Sequence, residues 1–80
     1  MNIKIKLFAA VRESAGREEV TLDVETPSCA VVFASLKDAM PALAHLIDSS
    51  MMAVNGAYAH PDAPIHPDDE VALLPPVSGG

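Results

Sequence analysis

Chemistry in this chain concentrates at its far end. Ser78-Gly79-Gly80 closes the sequence after Pro75-Pro76-Val77. Gly79 and Gly80 carry no side chain, so the backbone here can enter a narrow channel in conformations closed to other residues. Gly80 ends in a carboxylate, ionised near neutrality and with nothing beside it to block access. Attack of such a group on the α-phosphate of ATP gives an acyl-adenylate. Sulfide that then displaces AMP leaves a thiocarboxylate, a good sulfur nucleophile, and a persulfide leaves an acyl disulfide that a thiol cleaves to the same group. The two prolines remove consecutive backbone donors and favour an extended path. Residues 75–80 therefore read as a tail launched from a body of residues 1–74, with a reach on the order of 20 Å.

The other nucleophilic and ligating residues are weaker candidates. Cys29 is the single cysteine; it falls on an apolar helical face and reads as a small buried hydrophobe before a redox group. His60 and His66 lie near Asp62, Asp68 and Asp69, but their spacing matches no zinc or calcium template, so a solvated loop is expected and no metal. His45 reads as a helix-end residue, and Arg12 and Glu13 as surface charges on a turn. Phe8, Tyr58 and Leu74 suit an exposed apolar patch beside the tail, although Phe8 fits a core position equally well. Met51 and Met52 read as packing residues.

Composition narrows the function classes. Five Lys plus Arg against eleven Asp plus Glu give a formal net charge of −6, so phosphate-backbone or anionic-membrane binding would work against the overall field. Neither nucleic acid nor membrane is an expected partner. One cysteine cannot form an internal disulfide, and a reducing, cytoplasmic setting is the simplest fit. No apolar run approaches a membrane span, and the alternating start does not resemble a signal peptide. Eighty residues, half of them hydrophobic, allow one domain with one small core.

The elements that must carry the tail follow from periodicity. Ile3, Ile5 and Leu7 alternate with Asn2, Lys4 and Lys6, predicting a strand over residues 2–8. Residues 9–15 predict a helical turn stopped by Gly16, and Val20, Leu22 and Val24 a second strand, antiparallel to the first. Cys29, Val32, Phe33, Leu36 and Met40 share one face of a predicted helix over residues 28–40, ended by Pro41, with another short turn or two over 41–47. Residues 51–54 predict a brief strand. Asn55-Gly56 is a type I′ hairpin signal, so residues 57–60 predict the return strand. Residues 61–69 predict an ordered loop, and 70–74 a last strand, central and buried on both faces because Val71-Ala72-Leu73-Leu74 lacks polar alternation. One helix across a mixed sheet of about five strands, with first and last strands side by side, is an α+β arrangement of the ubiquitin-like β-grasp type.

The chain resembles the small, sulfur-carrying subunit of molybdopterin synthase over nearly its whole length. Leu7-Phe8-Ala9-Ala10-Val11-Arg12-Glu13, Met52-Ala53-Val54-Asn55-Gly56 and above all Asp69-Glu70-Val71-Ala72-Leu73-Leu74-Pro75-Pro76-Val77-Ser78-Gly79-Gly80 carry the likeness. One departure is Asp68, where that family often has Gly. The resemblance implies that an adenylating enzyme related to ubiquitin-activating enzymes uses ATP to activate Gly80 and that a sulfur donor protein converts it to a thiocarboxylate. Gly79 and the rest of the tail would then insert into the large subunit, which holds the catalytic residues, in a heterotetramer of two small and two large chains. There the sulfur would pass to a cyclic pyranopterin monophosphate. It also implies a partner-binding role for Arg12 and, along the tail, for Pro75, Pro76, Val77 and Ser78, with no permanently bound cofactor. The acidic balance suits docking on basic surfaces. Sulfur carriers of thiamine synthesis, which usually lack the Pro-Pro-Val approach, and ubiquitin-like protein modifiers are the alternatives.

Overall fold

The computed structural model describes residues 1–75. In strand β1 (Asn2–Leu7) exposed and buried residues alternate strictly, and Ile3, Ile5 and Leu7 are at most 1% exposed. Strand β2 (Glu19–Asp23) pairs antiparallel with it, Ile3 opposite Leu22 and Ile5 opposite Val20. Helix α1 (Ala9–Ala15) lies between them and stops at Gly16, whose φ of 73° is the left-handed conformation that accommodates glycine without a Cβ penalty.

Helix α2 (Cys29–Ala39) begins at Ser28, whose hydroxyl accepts a bond from the Val31 N–H at 3.3 Å. Its buried stripe is Cys29, Val32 and Leu36. Two further donors of its first turn are met by the proline-rich loop: Cys29 N–H bonds the Ala63 carbonyl at 2.9 Å and Ala30 N–H the Pro61 carbonyl at 3.0 Å. Ile65, 1% exposed, anchors that loop in the core. After α2 the expected turn over 41–47 is a 3-10 turn, Pro41–Leu43, followed by helix α3 (Ala44–Asp48).

Strands β3 (Met51–Val54), β4 (Ala57–Tyr58) and β5 (Val71–Leu74) complete a five-stranded sheet in the order β2-β1-β5-β3-β4. β5 runs parallel to β1 and antiparallel to β3, which makes it the central strand. Asn55 and Gly56, at φ of 54° and 85°, form the turn between β3 and β4. The helices pack on one face only. Val11, Val32, Leu36 and Ile47 join Ile3, Ile5, Leu7, Met52, Val71 and Leu73 in one cluster.

Three expectations are corrected. β1 ends at Leu7, not residue 8, because Phe8 is the residue that caps α1. The return strand is two residues, not four: the Ala59 N–H still bonds the Met52 carbonyl, but the His60 carbonyl turns away to accept from Ala63. β5 is central but not buried on both faces. Val71 and Leu73 are buried while Ala72 and Leu74 are half-buried, because no helix covers the far side of the sheet. Among the described residues, no single helix is long and apolar enough to cross a membrane.

Candidate functional site

Strand alternation decides what surrounds the point where β5 releases the chain. Leu73 is paired with Leu7 on one side and Met52 on the other, all in the core. Leu74, one residue on, must project to the open face, as must its partner Met51. Phe8 extends β1 by one residue in extended backbone (φ −134°, ψ 157°) and is 37% exposed, so it leaves on the side opposite Leu7. Phe8, Leu74 and Met51 therefore come together on the open face, and exposed Pro75 follows Leu74 there.

Of the residues expected to form a patch, Phe8 and Leu74 share this face beside the exit, and Phe8, 37% exposed, is not a core residue. Tyr58, 59% exposed, is on the edge strand opposite Ala53, on the side of the sheet that carries Met51 and Leu74 but about 14 Å from β1 at three strand spacings. Met51 was expected to pack; it is 43% exposed, whereas Met52 is 5% exposed. Only pairing with Leu74 reveals its place beside the exit, since a four-residue strand of Met-Met-Ala-Val does not announce which face is wet. Pro76, Val77, Ser78, Gly79 and Gly80 lie outside the described residues.

Charge frames this apolar exit. Arg12 is exposed and shares a hollow of about 300 Å³ with Lys6, Leu7, Phe8, Glu18 and Glu19. The Lys6 ammonium pairs with the Glu70 carboxylate at 3.2 Å, across β1 and the start of β5. That start is itself clamped. Asn55 N–H donates to the Glu70 carbonyl at 2.8 Å, the Asn55 side-chain oxygen accepts from Glu70 N–H at 2.9 Å, and its amide donates to Asp69 at 3.0 Å. The other Asp69 oxygen accepts from His66 N–H at 2.8 Å. These bonds from the His66 backbone and the Asn55 amide hold the Asp69 carboxyl below the usual carboxylate range.

In the same loop Nδ1 of His60 accepts from Asp62 N–H at 3.4 Å, so the side chains of His60 and Asp69 are engaged locally. Among the described residues, no three His, Cys, Asp or Glu side chains gather in a way that would hold a metal. His45 sits exposed in α3, near the helix end. Cys29 is 5% exposed, and burial pushes its thiol pKa up, the opposite of an activated cysteine. It borders a mainly apolar groove of about 420 Å³ between α2 and the β3–β4 edge, with Phe33, Ala34, Tyr58 and, shared with the exit patch, Met51 among the lining residues.

Comparison with known proteins accounts for this arrangement. The model of the ThiS family matches residues 5–80, from β1 through the tail. The molybdopterin synthase sulfur carrier subunit of Dictyostelium discoideum is 37% identical, over 96% of this chain and 94% of that one. Among solved structures, small archaeal modifier protein 1 of Haloferax volcanii superposes with a TM-score of 0.84 at 32% identity, over 100% of both chains. A chain in the complex of subunits 1 and 2 of molybdopterin-converting factor from Helicobacter pylori shares the fold at a TM-score of 0.70 and 18% identity, again over 100% of both. A β-grasp body whose central strand runs out into Pro-Pro-Val-Ser-Gly-Gly, matched from its first strand to its last residue, belongs to the ThiS family.

Proposed function

We propose that this chain is a sulfur carrier and the small subunit of a molybdopterin synthase. The observation that carries the reading is the full-length likeness to sulfur carrier subunits, tail included, in a fold whose central strand is the element that precedes that tail in the sequence. An adenylating enzyme joins the Gly80 carboxylate to the α-phosphate of ATP and releases pyrophosphate. A sulfide-level nucleophile supplied by a sulfur donor protein then forms the C–S bond as the bond to AMP breaks. The loaded tail enters the large subunit and gives its sulfur to a cyclic pyranopterin monophosphate. Two loaded copies serve each product, since two sulfurs enter. Phe8, Leu74 and Met51 offer the apolar contact at the tail's exit and Arg12 a cation for a charge-assisted bond, while the side chains that act on the precursor belong to the large subunit.

The test is intact-mass analysis of the chain incubated with its adenylating enzyme, ATP and a sulfur donor. A fraction with one oxygen exchanged for sulfur at Gly80 is expected, and adding one residue after Gly80 should abolish both the shift and precursor conversion without unfolding the body. A carboxylate-only product, or an extended chain that still supports conversion, refutes the mechanism. A second reading, a protein modifier, has the likeness to the archaeal modifier in its favour. It requires lysine-linked adducts of this chain in the same cells.

A further inference from the structure

Between β1 and α1 there is only Phe8, and both Leu7 (1% exposed) and Val11 (4% exposed) are anchored in the core. The corner is Ala9, at φ 52°. This left-handed conformation is unfavourable for a residue with a Cβ and is visited mainly by Gly, Asn and Asp. Asn55, the other described non-glycine residue there, is suited to it by its turn and is held by side-chain bonds. Ala9 has an exposed methyl group and no such support.

What holds the corner is its surroundings: Leu7 N–H bonds the Glu18 carbonyl at 2.8 Å, and the Phe8 carbonyl takes the Arg12 N–H at 3.4 Å. Phe8 is thereby held from both sides, by the pairing of Leu7 before it and by the corner after it. With Ala9 left-handed, Phe8 stays extended and half-exposed on the open face beside Leu74, and Arg12 returns to share its hollow. Backbone strain of this kind persists where the structure over-determines it, often at recognition sites.

We infer that Ala9 is a positioning residue: its left-handed backbone holds Phe8 out as a pre-ordered anchor for the protein that receives the tail. The inference rests on the reading of Phe8 and Leu74 as the docking contact. Glycine at position 9 tolerates the corner but also releases it, so Phe8 must be ordered again on each encounter. Asparagine keeps a Cβ and tolerates the left-handed region.

The experiment is calorimetric titration of the whole chain with the large molybdopterin synthase subunit, beside thermal melts. Ala9→Gly is expected to melt at or above the wild-type temperature yet bind about three- to tenfold more weakly, the cost of ordering one side chain. Ala9→Asn is expected to restore most of the affinity. In a Phe8→Ala background, Ala9→Gly is expected to cost nothing further, because the two act as a unit. Equal affinity of Ala9→Gly and wild type, or a loss that is undiminished without Phe8, overturns the inference alone. A fall in melting temperature in step with affinity also overturns it, since that is what a merely structural residue does. Failure of the wild-type chain to bind the large subunit overturns both this inference and the docking reading beneath it.

Discussion

Leu73 and Leu74 are adjacent and chemically identical, yet their alanine variants should fail in different ways. Leu73 is 0% exposed between Leu7 and Met52, so Leu73→Ala leaves a cavity in a closed core and costs about 2 to 5 kcal/mol. A domain of 80 residues has only about 4 to 12 kcal/mol to lose. Leu74 is half-buried against Met51 on the open face, where solvent and neighbours fill the space, so its truncation costs about 1 kcal/mol of stability. The remaining part of Leu74, about a third at most, is what the proposed docking would bury, and losing that contact should cost about 0.5 to 1 kcal/mol more, or about two- to fivefold in Kd for the large subunit. Urea unfolding midpoints measure the first quantity and calorimetric titration the second. Leu73→Ala should drop the midpoint sharply while its folded fraction binds with near wild-type affinity, and Leu74→Ala should do the reverse. Equal stability losses, or a Leu74→Ala chain that binds as tightly as wild type, would refute the assignment of these residues to opposite faces with separate tasks.

Other perturbations test the supports of the site. Because the Asp69 pKa is lowered in the folded state, the unfolded chain binds the extra proton first; stability from Asp69 is complete above the unfolded value of about 3.9 and is lost as pH falls through the lower folded one. Thermal melts of Asp69→Asn should therefore be flatter than wild type below about pH 4, and parallel curves would count against the clamp. Alkylation of Cys29 by iodoacetamide at mildly alkaline pH should be at least about a hundredfold slower in the native protein than in denaturant, since the thiol reacts only on opening; a native rate equal to the denatured one would contradict its burial. Gly56→Ala meets no atom within 4 Å, so its cost is the left-handed backbone alone, about 1 to 2 kcal/mol by urea unfolding, and a neutral result would refute the positive φ of the turn.

Much of the framework was legible because local rules and tertiary structure agree. The alternation of Ile3, Ile5 and Leu7 needed only one wet and one dry face to become β1, Ser28 and Pro41 bracket α2, and Asn55-Gly56 can close a hairpin almost anywhere. The short return strand was less legible, because its end depends on a carbonyl of His60 turning to Ala63. The apolar run in β5 misled in one respect. Val-Ala-Leu-Leu is compatible with burial on both faces or with one face left for a partner, and the residues themselves do not distinguish the two.

By itself, then, the sequence determined the parts that depend on residue type and near neighbours: the strands, the main helix, the type I′ turn, and the closing Gly-Gly. Tertiary structure alone decided which residues meet at the tail's exit. Phe8 just past β1, Met51 in β3 and Leu74 in β5 lie far apart in the chain, and they are brought together by the β1-β5-β3 order, in which a one-residue shift of register would exchange Leu74 for Leu73. Long-range pairing sets that register by burying Leu7, Leu73 and Met52 together, and the surface beside the tail is the remainder left on the other face.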